Sequence, residues 1–159
     1  MKKIVGRNNR LCHSLNKFPF IDVREAHFQG IGYDRMKHNR TVLVFSRSIH
    51  NRPDILKRYN HKVTLAPNSV QLEYKYFVIE YSPTGPKEGR MKLAINVDTK
   101  LNIPLFLMRP VTENFGLDFY KNVLSIAKKF EGSEWEKKAK EHPEFYEFVR
   151  RRIQEEFPN

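Results

Sequence analysis

The chain lacks a second cysteine. Cys12 stands alone in 159 residues, so no internal disulfide can form, and a reducing compartment such as the cytoplasm fits. No apolar run reaches the roughly 18 residues that a membrane-spanning helix needs, and the first residues show no signal-peptide pattern. Neither GxGxxG nor GxxxxGK[ST] occurs, so no loop that cradles phosphate is predicted. GxSxG is also missing, and no pair of acid–base residues has a telling arrangement, so the expectation is a protein that is not an enzyme. No Cys/His group has metal-ligand spacing. His13, His27, His38, His50, His61 and His142 are scattered, and each is expected to be an ordinary surface or strand residue. No metal and no cofactor are therefore expected.

Charge and aromatic side chains are plentiful. The formal charge is +11 and aromatics make up 13% of the chain, enough for one globular domain with a real core. The charge is uneven. Residues 1–62 hold fourteen Lys and Arg against four Asp and Glu, whereas residues 128–159 are neutral with eight of each. A basic face of this kind favours nucleic acid or anionic lipid headgroups.

Residues 1–17 are basic and show no clear period. "FIDVREAHFQGIGYD", Phe20–Asp34, alternates as a strand does. Its Gly30 and Gly32 point to one face and suggest a bend or a close approach to the backbone. "RTVLVFSRSI", 40–49, is rich in β-branched and aromatic residues and predicts a second strand. "HNRPDILKR", 50–58, is a polar loop with one helical turn. "HKVTLAP", "VQLEYKYFVIEYSP" and "EGRMKLAINVD" predict further antiparallel strands, with a hairpin loop at 82–89.

After Asp98 the period changes to that of a helix. Asn102 could cap it, and Pro104 suits its first turn. Apolar positions from Leu105 through Met108, Phe115, Phe119 and Val123 to Ile126 recur at i, i+3, i+4 and i+7, so one broad face should be buried. Pro110 should kink this helix. Gly132 ends it, and a second helical stretch at 133–157 breaks near His142-Pro143. Strands followed by one long amphipathic helix make an α+β fold, with a helix packed on one face of a curved antiparallel sheet.

Four segments, in order, resemble the START domain family, the lipid-transfer domains related to the steroidogenic acute regulatory protein. They are "FPFIDVREAHFQGIGYDR", with Arg24-Glu25 where Arg-Asp is usual, "VLVFSRSI", "RMKLAINVDTKLNIP" and "PLFLMRPVTENFGLDFYKNVL". The resemblance runs from Phe18 to Phe130. It implies a helix-grip fold in which a curved sheet grips a long C-terminal helix. The family's N-terminal elements have no counterpart here, so the chain is expected to match the C-terminal two-thirds of such a domain. The organisation expected is a basic N-terminal segment at 1–17, a partial START-like lipid-binding domain at 18–131 and a C-terminal helical extension at 132–159.

The function this implies is the binding of one lipid, a sterol or phospholipid, in an apolar cavity between the sheet and the last helix, for transfer or sensing. Alternation selects Phe28 and Gly30, Leu43 and Phe45, Phe77 and Ile79, and Leu93 and Ile95 as strand lining. The helix would add Leu105, Met108, Thr112 and Phe115. Arg24 and Arg47 are the polar candidates, for a lipid phosphate or for pairing with Glu25 or Glu73. The loop with Arg52, Ile55, Leu56, Lys57 and Arg58 is expected to touch anionic membrane transiently. An exposed sheet edge would offer a route to a homodimer. Two alternatives stand beside this reading. One is a basic nucleic-acid-binding module using Tyr33, Arg35, Lys37, Tyr74, Lys75 and Tyr76, against which no RNP or KH motif is found. The other is a truncated, non-functional START fragment.

Overall fold

The computed structural model describes residues 2–6, 8–18, 21–86, 88–101, 105–141 and 143–157, with the backbone alone at 2–6, 18, 21, 105–112, 114, 115 and 145. The chain divides into two compact units, residues 1–100 with 152–159, and residues 101–151.

The first unit is built on a seven-stranded sheet. Strands β1 (Lys2–Gly6), β2 (Asn9–Phe18), β3 (Ile21–Arg35), β4 (Thr41–Ser48), β6 (Glu73–Pro83) and β7 (Gly89–Asp98) lie side by side, and β5 (Ser69–Gln71) pairs with β3 off this path. All neighbouring pairs along the path are antiparallel, whereas β5 runs parallel to β3, with Val23 opposite Ser69. The basic segment at 1–17, which shows no alternation, thus forms two strands. Leu11, Cys12, His13 and Leu15 interleave with Ser14 and Asn16, so neither face is uniformly apolar and the period is hidden. "HKVTLAP" is irregular rather than a strand. Its Ala66 N–H is bonded to a side chain, Glu25 Oε1 at 2.8 Å, and Pro67 has no N–H to give a ladder.

Short helices α1 (Met36–Asn39) and α2 (Pro53–Arg58) flank β4. Pro53 suits the first turn of α2. One face of α2 supplies Ile55 to a core with Leu11 and Ile49, and Leu56 and Tyr59 pack against it. The chain's end also belongs to this unit. Arg152 Nε donates to Asp34 Oδ2 at 3.0 Å, Arg40 pairs with Glu156, and the Arg40 guanidinium lies 6.0 Å over the Phe157 ring. Removing residues 152–159 is expected to lower the melting temperature, and Asp34→Asn to reproduce part of the loss. An unchanged thermal transition in both would show these contacts to be idle.

The second unit holds α3 (Leu105–Lys128), α4 (Glu134–Lys140) and the greater part of α5 (Pro143–Glu156). On α3, Phe119, Val123 and Ile126 are half-buried and recur at helical spacing, while Leu117, Tyr120 and Leu124 are exposed. The helix backbone runs unbroken through Pro110. The expected cap Asn102 and first-turn Pro104 lie outside the described residues. Gly132 carries φ +74° between α3 and α4, a conformation glycine adopts without strain. Ser133 caps α4 by accepting from Glu136 N at 3.3 Å. No helix among the described residues is long and apolar enough to cross a membrane.

Candidate functional site

Residues directly opposite across an antiparallel pair share a face, as do residues i and i+2 on a strand. Phe28 and Gly30 on β3 face Ser48 and Ser46 on β4. Ser46 faces Phe77 on β6, and Val44 faces Ile79. Phe77 and Ile79 then face Ile95 and Leu93 on β7. One continuous face of the sheet therefore carries Phe28, Gly30, Phe77, Ile79, Leu93 and Ile95 across four strands.

Leu43 and Phe45 do not join them. They stand opposite Tyr33 and Ile31 and belong to the other face. "TVLVFS" carries apolar residues at both parities, so alternation cannot tell inside from outside there. Val44 and Ser46 take the places beside the aromatic residues. The side chains of Leu105, Met108, Thr112 and Phe115 lie outside the described residues.

Aromatic rings give this face its centre. Phe28 meets Tyr74 edge-on at 5.5 Å, and Tyr74 meets Phe77 at 5.9 Å, arrangements worth about 0.5–1.5 kcal/mol each beyond area burial. A bulge between Tyr74 and Tyr76 turns Tyr74 toward this row. Burial raises the Tyr74 phenol's pKa, opposed by a bond with the Ser14 hydroxyl. A Cβ at Gly30 would sit 3.3 Å from Ser46 Oγ, so the serine would have to give by a few tenths of an ångström. The glycine and the two serines keep the middle of the face low between the rings. Ser48 Oγ accepts from Tyr74 N at 2.9 Å, so its polarity is satisfied.

The two arginines behave differently from each other. Arg24 is buried, but it meets neither Glu25 nor Glu73. Its Nε donates to Thr99 O at 3.1 Å and its Nη1 to Asp22 O at 3.0 Å, which ties the end of β7 to the start of β3. Arg47 stands opposite Gln29, on the face away from the aromatic row, and is exposed. The basic loop also departs from expectation. Ile55 is only 8% exposed and Leu56 packs beside it, because a helix of six residues has one apolar side and the sheet occupies it. Arg52 forks onto Asp54 at 3.0 and 2.8 Å. Lys57 and Arg58 remain exposed.

The opposite face holds a polar cluster, and here the expectation of scattered histidines is corrected. His13 on β2 stands directly across from His27 on β3, and their rings stack 4.5 Å apart with planes 13° from parallel. Glu25, two residues before His27, shares that face. His13 Nε2 lies 2.8 Å from Glu25 Oε2, and His27 Nδ1 lies 3.3 Å from His61 Nε2. Burial alone would raise the Glu25 pKa. The Ser69 hydroxyl, the Ala66 N–H and His13 together outweigh it and hold the carboxyl below its ordinary range. Burial depresses His27, followed by His13 and His61, against the Thr64 carbonyl and Glu25. Glu-Ala-His on a strand was the available signal, since i and i+2 share a face. The partner His13 was hidden in a segment without visible period.

Comparison with known proteins bears on the fold. No family model matches the chain, and no curated protein sequence matches it significantly. Among solved structures, the crystal structure of human STARD10, a START-domain protein, superposes with a TM-score of 0.67 at 14% sequence identity. The match covers 88% of this chain and 54% of that one, so the chain spans about half the length of that structure. At such low identity the likeness is one of architecture, and the chain accordingly has an α+β fold of the START-like helix-grip type.

Proposed function

We propose that this protein binds a single lipid on the aromatic face of its sheet, for lipid transfer or sensing. The observation that supports this most directly is the continuous apolar row Phe28, Phe77, Ile79, Leu93 and Ile95, interrupted only by a glycine and small hydroxyl side chains. The START-like fold supports the same reading. Each CH₂ of a ligand buried here contributes about 0.8 kcal/mol, so a sterol or acyl chain needs few polar contacts. The hydroxyls of Ser46 and Tyr74 are candidates to meet a headgroup or sterol oxygen. Lys57 and Arg58, with the excess positive charge of the first 62 residues, would favour transient contact with anionic membrane.

Native mass spectrometry of the purified protein, followed by organic extraction of whatever co-purifies, tests the reading. A lipid at one equivalent is expected, and Ile79→Trp, which fills the row, should reduce its occupancy several-fold while the fold is kept. A protein that carries no lipid and takes none from vesicles of phosphatidylcholine, phosphatidylserine and cholesterol would refute it.

A further inference from the structure

We propose that His13, Glu25 and His27 form a binding site for a divalent transition-metal ion of the zinc class, with His61 orienting His27 from outside the shell. This site is on the sheet face opposite the aromatic row and is independent of lipid binding.

Two imidazoles and one carboxylate are a donor set that suits zinc, with a further position left for another ligand. One ligand atom from each of the three residues lies within 4.8 Å of the others. Ligands around such an ion, at bond lengths of about 2.0–2.1 Å, stand about 3.3 Å apart. His13 Nε2 and Glu25 Oε2, at 2.8 Å, need to part by only a fraction of an ångström. An ion lies in the plane of each imidazole that binds it, so His27 must turn out of its near-parallel stack on His13 to join the set.

The backbone organises the set. His13 and His27 are a cross-strand pair, and Glu25 is two residues along from His27, so adjacent strands hold all three without a loop. Rigid elements hold ligands more precisely than loops do.

His27 supplies the second, separate observation. It is 5% exposed, and its Nε2 is buried with no hydrogen-bond partner among the described residues. Its other nitrogen, Nδ1, is engaged by His61 Nε2 at 3.3 Å. The ring also meets the Thr64 carbonyl; in the tautomer with Nδ1 protonated, Nε2 presents its lone pair as a ligating histidine does. A buried imidazole nitrogen without a partner costs stability, and a metal ion would remove that cost. The Glu25 carboxylate is likewise supported from behind, by Ala66 N at 2.8 Å on Oε1, which leaves Oε2 to face the histidines. Among the described residues, the groups that act on Glu25 and His27 from outside the set are the Thr64 carbonyl, the Ala66 N–H, the Ser69 hydroxyl and His61, and none of these four carries a fixed positive charge.

When the ion binds, His13 Nε2 exchanges its hydrogen bond to Glu25 for a metal bond. A neutral imidazole carries one ring proton, which His13 keeps on Nδ1 when Nε2 binds the ion.

The test uses the full chain, freed of metal by a chelator and then dialysed. Zn²⁺ alone is titrated calorimetrically, and Co²⁺ is titrated with its visible absorption as readout. One equivalent should bind, with the strong d–d bands of a four-coordinate site. His13→Ala and Glu25→Gln should each weaken binding by more than about 100-fold, beyond the 10–100-fold that an outer-shell partner such as His61 is worth. His38→Ala, at an exposed histidine on α1, should change nothing. His13 is partly exposed, so His13→Ala keeps the test sound if a His27 variant fails to fold. Absence of stoichiometric binding overturns the proposal, as does binding that is indifferent to His13→Ala and Glu25→Gln.

Discussion

Leu11→Ala is expected to destabilise the protein by about 2–5 kcal/mol, and Ile49→Ala by a similar amount. Both side chains are 1% exposed, and with Ile55 they make up the one cluster of buried apolar residues found among the described residues. Leu11 comes from β2, Ile49 from the end of β4 and Ile55 from α2, so one truncation loosens three elements at once. The void cannot collapse easily. Leu11 is held by the β2–β3 ladder, and Ile49 N donates to His27 O at 2.9 Å. Equilibrium denaturation in urea measures the effect as a lower midpoint at similar slope. A loss below about 1 kcal/mol would mean that the site repacks, and would count against the rigid core described here. Leu43→Ala, at a half-buried position on the same face, should cost less than either.

Glu25→Ala should cost about 3 kcal/mol or more, and Glu25→Gln less. Removing a buried carboxylate leaves its donors desolvated and unpaired, at about 1–3 kcal/mol for each group left without a partner. Here the abandoned donors are the Ala66 N–H, the Ser69 hydroxyl and His13. Glutamine keeps an oxygen for Ala66 but turns an amide N–H₂ toward His13. The measurement belongs in the presence of a chelator, so that loss of metal binding and loss of the hydrogen-bond network are separated. Equal stability of wild type and Glu25→Ala would mean that the network contributes nothing net. The long irregular segment from His61 to Asn68 should loosen first, because Glu25 is its anchor. Faster amide exchange at Ala66, ahead of the β2–β3 ladder, would report that.

The two faces of the sheet divide the labour differently from what alternation alone suggests. The strand at 21–35 was legible because Phe28, Gly30 and Gly32 fall at one parity. The strand at 41–48 was legible as a strand but not in its orientation, because Val42, Leu43, Val44 and Phe45 are apolar at both parities. Only its pairing with β3 and β6 puts Val44 and Ser46 on the aromatic face. In the sequence, Ile55 and Leu56 beside Lys57 and Arg58 read as a membrane contact. In the fold the sheet claims the apolar side of that turn, and the cations alone are left outside.

Sequence by itself determined the α+β class, the change from strand to helix after Asp98, the break before Pro143 and the glycine at 132. All of these follow from local period and from backbone chemistry that neighbours cannot override. Tertiary structure decided what lies opposite what. Strand register paired His13 with His27, and the irregular segment brought His61 and Ala66 to Glu25. Residues 12 to 41 positions apart in the chain thus came within bonding distance. No local pattern encodes such pairs, because register is set by the summed burial and hydrogen bonding of whole strands rather than by the residues that meet.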